Sequence, residues 1–292
     1  MAKNFFYGGQ AVMEGVMMRG QKAMVTAVRR PGGGVALDTQ LLTGFYSGRW
    51  RRTPLVRGVI ILVEVLVLGI RSLLYSANVS LEEEKAEISG WFVWLLLAVS
   101  VAVAVVLFFM APLFLANLIK PYITSALVFS LVEGLIRVAI FVIYLSLISM
   151  VPDIKRYFAY HGAEHKSINA YEAGVPLEVE AVKKYGTAHR RCGTSFLFVV
   201  LVIAIIVFAL VGLPGLGLLV LSRILLIPVI AGLGYEVIYF SANHADNPVV
   251  RAIAAPGLWL QAMTTREPDD GQLEVALAAL ARAVELDQAE AT

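Results

Sequence analysis

Apolar residues along this chain are gathered into long blocks. Four blocks, Trp91 to Leu118, Ala126 to Val151, Ser195 to Leu213 and Leu218 to Phe240, are close to or above the ~20 residues that a helix needs to cross a hydrocarbon core. The first pair is joined around Lys120-Pro121 and the second at Pro214-Gly215, both chain-reversal signals, so the pattern predicts two transmembrane hairpins. A fifth apolar stretch, Leu55 to Ala77, is different because Arg57, Glu64 and Arg71 recur at heptad spacing and mark one face of a helix.

Charge decides how that stretch is read. Lys- and Arg-rich segments stay on the cytoplasmic side. If Leu55 to Ala77 crossed, either the basic arm before it or the basic 152–194 segment would have to be translocated. A helix that lies at the interface or re-enters keeps both segments and the C-terminal tail in the cytoplasm, and leaves Lys120 as the basic loop residue outside. The expected fold is therefore a mainly α-helical integral membrane protein with four transmembrane helices as two hairpins, plus an interfacial or re-entrant helix and a small N-terminal β-hairpin. The hairpin is read from Met24 to Arg30 and Val35 to Gln40, which flank Pro31-Gly32-Gly33-Gly34 as strands flank a turn. Near the other end, Pro268-Asp269-Asp270-Gly271 precedes Leu273, Ala276, Leu277, Leu280 and Val284, the spacing of an amphipathic helix with a start signal.

These signals divide the chain into a cytoplasmic Gly-rich and hairpin segment (1–54), an interfacial helix with an acidic linker (55–90), a first membrane hairpin (91–151), a cytoplasmic His/Cys segment (152–194), a second membrane hairpin (195–240) and a cytoplasmic tail (241–292). Composition agrees. Hydrophobic residues make up 59 %, charged residues 16 %, and mean hydropathy is +0.76, which excludes an ordinary soluble globule and makes the lipid bilayer the expected partner. A net charge of +2 gives no electrostatic case for nucleic acid. A single cysteine, Cys192, cannot form an intrachain disulfide and fits a reducing compartment. The start of the chain lacks the basic-then-apolar order of a cleavable signal, so targeting is expected to rest on the internal segments. No fixed-period repeat is visible, and the two hairpins are too unlike for an inverted-repeat transporter.

The sharpest chemical signal is His161-Gly162-Ala163-Glu164-His165. It sets two imidazoles four residues apart on one helical face beside a carboxylate, the inverted zincin pattern. In that chemistry the histidines hold zinc and the glutamate is the general base, which requires a third ligand. Candidates are His189 and Cys192, three apart, with His244 just past the last span and Glu236 near its end. Imidazole and thiolate suit zinc or another divalent transition metal. The run Gly8 to Gly20 adds Glu14 and Arg19 as possible ligand, base or anion contacts among turn-permitting glycines. Inside the membrane blocks, Glu133 and Arg137 form an i, i+4 pair expected to fix helix packing, and Arg190 and Arg191 read as juxtamembrane anchors.

Four segments, taken in order, resemble the YqhQ-like bacterial membrane proteins, a group labelled as predicted metal-dependent enzymes. They are Gly8 to Gly20, His161 to Lys166, His189 to Ser195, and Pro256 to Gln261 leading to Thr264 to Pro268. The resemblance covers nearly the whole chain. It implies one functional unit in a bacterial plasma membrane, with both termini cytoplasmic, and supplies neither substrate nor reaction. The resulting expectation is a metal site of His161, His165, His189 and Cys192, with Glu164 as base in hydrolysis of a membrane-proximal substrate. Its rivals are a noncatalytic scaffold holding a structural metal and a small transporter. The oligomeric state is not legible.

Overall fold

The computed structural model describes residues 6–42, 53–82, 90–212, 216–244 and 246–289. Its N-terminal part is a four-stranded antiparallel meander: β1 (Gly8–Val12), β2 (Gly15–Arg19), β3 (Ala23–Arg29) and β4 (Val35–Leu41), in that order across the sheet. The expected hairpin is its second half. The glycine-rich run supplies the first half, turning at Glu14, whose φ of 52° is left-handed. Both faces of the sheet are covered. Val16, Met18, Val25 and Ala27 pack against one set of helices, and Val12, Met17, Met24 and Val28 against Leu68 and Val79 on the other side.

The helix on that second face is α1 (Val56–Ser80). Its first turn lies against the apolar helix α9 (Ile227–Asn243): the Leu55 amide donates to Glu236 Oε1 at 3.0 Å, and Arg57 pairs with the same carboxylate. Its second half lies on the sheet, where Glu64 accepts from Arg19 Nε at 2.8 Å and Ser72 accepts from the Thr26 hydroxyl at 3.1 Å. The heptad-spaced charges therefore do not form one solvated face. Arg57 and Glu64 are turned to protein partners, and Arg71 alone of the three is exposed.

Among the described residues, five helices are long and apolar enough to cross a membrane: Val56–Ser80, Trp91–Tyr122, Ala126–Ile148, Gly193–Val211 and Leu221–Asn243. The last four correspond to the expected blocks and the additional one is α1. The first block comprises α2 (Gly90–Val105), a π-helical turn (Val106–Met110) and α3 (Ala111–Ile119). It is followed by α4 (Ala126–Ile148) and, after the polar segment, by α7 (Gly193–Val211). The final block is two helices, not one: α8 (Leu216–Leu225) gives way at Leu226 to α9, which has Pro228 in its first turn, since proline lacks the N–H needed to continue the ladder. The acidic linker at 83–89 and the Pro214-Gly215 turn lie outside the described residues.

Glu133 and Arg137 pair within α4 as expected, and Arg223 of α8 joins them, donating to Glu133 Oε2 at 3.1 Å. The π turn leaves a carbonyl without its usual partner, and Arg137 Nε donates to one there, Phe108 O, at 2.9 Å. Between the membrane blocks, α5 (Pro152–Glu172) and α6 (Val179–Val182) form part of a polar-side domain with the sheet. The tail adds α10 (Pro248–Thr264) and α11 (Asp270–Gln288), the latter opened by an Asp269–Gln272 capping box. Helix α11 is the expected amphipathic helix, burying Leu273, Ala276, Leu277 and Leu280. Its far end is tied to the β2–β3 turn through Asp287, which accepts from Tyr7 Oη and from the amides of Gln21 and Lys22.

Candidate metal centre

Helix α5 is polar in composition yet largely buried, because the sheet, α11 and the segment after α10 surround it. Two glycines make that enclosure possible. At Gly162 an added Cβ would lie 2.0 Å from the Arg266 carbonyl oxygen. The chain after α10 thus crosses α5 at this point, with the Arg266 amide donating to Phe158 O at 2.9 Å. At Gly9 an added Cβ would lie 2.8 Å from Glu164 Cγ, so β1 closes directly over that glutamate.

The i, i+4 spacing brings the His161 and His165 rings to 4.4 Å between centroids. Each ring is fixed from behind. His161 Nδ1 is 2.8 Å from Thr264 O and His165 Nδ1 is 2.6 Å from Thr187 O. A carbonyl oxygen can only accept, so each Nδ1 carries a proton and donates, and each Nε2, once deprotonated, is the nitrogen available to an ion. Both face Cys192, the N-cap of α7, whose Sγ lies 3.3 Å from His161 Nε2 and accepts from the Thr194 amide. The two imidazoles and the thiol offer ligand atoms all within 4.8 Å of one another. Two Nε2 atoms, on rings held at Nδ1 by backbone carbonyls, and one sulfur could hold a zinc-like ion. Glu164 is buried at 3 % exposure, with its carboxylate 3.4 Å from His165 Nε2.

The other expected residues divide clearly. His189 is adjacent but not within the three-ligand group: its ring is 5.4 Å from that of His165, and its Nε2 lies 3.9 Å from Glu172. Glu14 receives Arg156 and the Tyr160 hydroxyl, which clamps the β1–β2 turn to α5. Arg19 pairs with Glu64, and Glu236 with Arg57. His244 caps α9, stacks on Phe240 and is exposed. None of these four reaches the His161–Cys192 group. Glu236, a candidate third ligand beside the His pair, is thus committed to Arg57 instead. Sequence reasoning missed Gln261, whose amide holds both the N–H and the C=O of His189 at 2.7 and 2.8 Å. It also missed the carbonyls of Thr187 and Thr264, for which residue type gives no signal.

Electrostatically the three groups depend on one another. Burial opposes a charge on His161, but its hydrogen bond to Cys192, the thiolate charge and Glu164 outweigh burial and raise its pKa to about 9. Burial would push the Cys192 thiol up, yet hydrogen bonds and charge from His161 and His165 pull it well below its ordinary range. His165 is shifted upward, with burial again opposed by Glu164 and Cys192. The sign follows. From the depressed thiol pKa up to about pH 9, ion-free protein is expected to hold an imidazolium–thiolate pair, lost as the thiolate is protonated at low pH or as His161 deprotonates at high pH. Chelator-treated protein is therefore expected to show ultraviolet thiolate absorbance at neutral pH that falls sharply in His161→Ala; equal absorbance in the two proteins would contradict this coupling.

Comparison with known proteins places the chain in a family. The family model described as "Protein of unknown function (DUF1385)" matches residues 53–286. The chain is 37 % identical over 287 residues to "Uncharacterized protein YqhQ" of Bacillus subtilis (strain 168), covering 93 % of this chain and 90 % of that protein. No solved structure matches it. With a family model spanning most of its length and a full-length relative at this identity, the chain belongs to the DUF1385, YqhQ-like family.

Proposed function

We propose that this is a membrane-embedded metal-dependent enzyme, a hydrolase working at the cytoplasmic face of a bacterial plasma membrane. The observation that carries the reading is the pair of imidazoles, fixed at Nδ1 by backbone carbonyls, that turn toward Cys192 Sγ beside a buried glutamate. A divalent transition ion, zinc by preference, would be held by His161, His165 and Cys192, and when bound would supply Lewis acidity toward a carbonyl or phosphoryl oxygen. His189 supports the set by packing on His165. Glu164 is the general base: its carboxylate is dry, borders a ligand nitrogen, and has no cation of Lys or Arg to neutralise it among the described residues.

The topology that goes with this reading has four spans, with both termini in the cytoplasm. Leu55 and Arg57 contact Glu236, and Gly58 approaches Gly232. The start of α1 therefore lies beside the middle of α9, and its second half lies on the sheet. The portion before Leu68, at ~1.5 Å per residue, is too short to cross. This supports a re-entrant or interfacial helix.

Protein reconstituted in vesicles and supplied with zinc is the material for the test, screened against peptide and lipid-phosphate esters. Glu164→Gln is expected to lower turnover by about 100-fold or more while ion content stays at the wild-type level. Turnover unaffected by Glu164→Gln would remove the catalytic assignment. A second reading, a noncatalytic scaffold with a closed structural ion, draws on the depth of the cluster, with His165 at 1 % and Cys192 at 4 % exposure. It predicts unfolding on chelation and no dependence of any turnover on Glu164.

A further inference from the structure

Helix α10 returns from the end of α9 across α7, and the wedge between the three helices encloses a cavity of about 420 Å³. Its walls are of two kinds. Phe198, Val237, Ile253 and their neighbours make one part apolar, whereas Arg190 and Arg251 contribute guanidinium groups. Both arginines are exposed, and neither pairs with a carboxylate among the described residues. The contrast with Arg191 is direct, since that side chain is engaged by Glu172 and lies over Phe6.

A third feature points to a missing partner. Ser195 lines the same cavity, is 6 % exposed, and its hydroxyl has no hydrogen-bond partner. A buried, unsatisfied hydroxyl is costly unless something supplies the bond. Gly257, which also lines the cavity, leaves the hydroxyl room: an added Cβ would lie 3.2 Å from Ser195 Oγ.

Two unpaired cations, one unsatisfied hydroxyl and an apolar wall within one wedge of a membrane protein match an amphiphile with an anionic oxygen-rich head. We infer that this cavity binds an anionic phospholipid, its phosphate between Arg190 and Arg251 with Ser195 donating to a head or ester oxygen, and its chains along α7 and α9. The site goes beyond the metal reading and does not require it. Arg190 and Ser195 nonetheless flank Cys192 in the chain, and Thr194 of the same turn shares a hydroxyl contact of 3.0 Å with Thr264, whose carbonyl holds His161. A lipid bound here lies beside the candidate catalytic group.

The test is lipid retention by the full chain, read by native mass spectrometry after exchange into micelles doped with phosphatidylglycerol or phosphatidylcholine. Wild type is expected to retain phosphatidylglycerol in preference to phosphatidylcholine by about tenfold, and Arg190→Gln, Arg251→Gln to lose about tenfold in phosphatidylglycerol retention. Arg282→Gln on the far helix α11 and His161→Ala are expected to retain it, the second showing that lipid binding and the metal reading stand or fall separately. Equal retention of the two lipids, or undiminished retention in a folded double-arginine variant, would overturn the inference. Displacement of the lipid by inorganic phosphate alone would also overturn it, by showing a site for the free anion.

Discussion

Glu133→Leu is expected to destabilise the membrane domain by about 3–5 kcal/mol, the usual cost of leaving a buried cation without its partner. Glu133 is the acceptor for both Arg137 and Arg223, so one substitution strips two guanidinium groups at once. Arg137 keeps its bond to Phe108 O and Arg223 its place 3.8 Å from the centre of the Phe208 ring, but neither contact supplies negative charge. Thermal unfolding in detergent measures the loss, and adding Arg223→Leu should restore part of it. An unchanged unfolding midpoint in the single variant would mean that this network does not hold α4 and α8 together.

A second large effect is expected at Gly162→Ala. The new methyl would stand 2.0 Å from Arg266 O, a contact that backbone must move to relieve. The crossing segment carries the Arg266 amide bond to Phe158 and follows directly on Thr264, which fixes His161. The substitution should therefore destabilise by about 3 kcal/mol and also release the His161 ring. Its signature is a lowered unfolding midpoint together with weakened ion binding. A variant that binds metal like wild type would show that the crossing does not position the ligand.

What could be read from the sequence was what one element determines alone. The helices α2 and α7 are apolar on every side, so length and hydropathy suffice to find them. Helix α11 announces itself through Asp269, Gln272 and a single apolar stripe. Strand β2 did not, because the sheet is covered on both faces and Val16, Met17 and Met18 are all buried, which removes the alternation that marks a half-exposed strand; β1 opens on Gly8 and Gly9, which carry no strand signal. Helix α10 was not read from the sequence; it runs through Pro256 and Gly257, residue types that ordinarily interrupt a helix.

The site follows the same rule. His161 and His165 share a face by helical period alone, and Cys192 was accessible as a soft donor by its chemistry. Glu236 looked available because the chain distance was suitable, but Arg57, far away in sequence, takes its carboxylate. Glu14 and Arg19 are likewise taken by Arg156 and Glu64. The choice among ion-pair partners is tertiary, and spacing does not carry it. The roles of Gly9 and Gly162 are steric and become visible only once β1 and the 264–266 segment are seen to press on α5.

His161, His165 and Cys192 together are proposed to hold a transition ion. The most direct test is metal content by inductively coupled plasma mass spectrometry on detergent-purified full-length protein, with a folded double variant, His161→Ala with His165→Ala, and a folded Cys192→Ser variant alongside. The expected result is about one zinc-like ion per chain in wild type, lost in both variants. Wild type that stays free of transition metal even after reconstitution with zinc, or folded variants that bind it equally well, would contradict the claim.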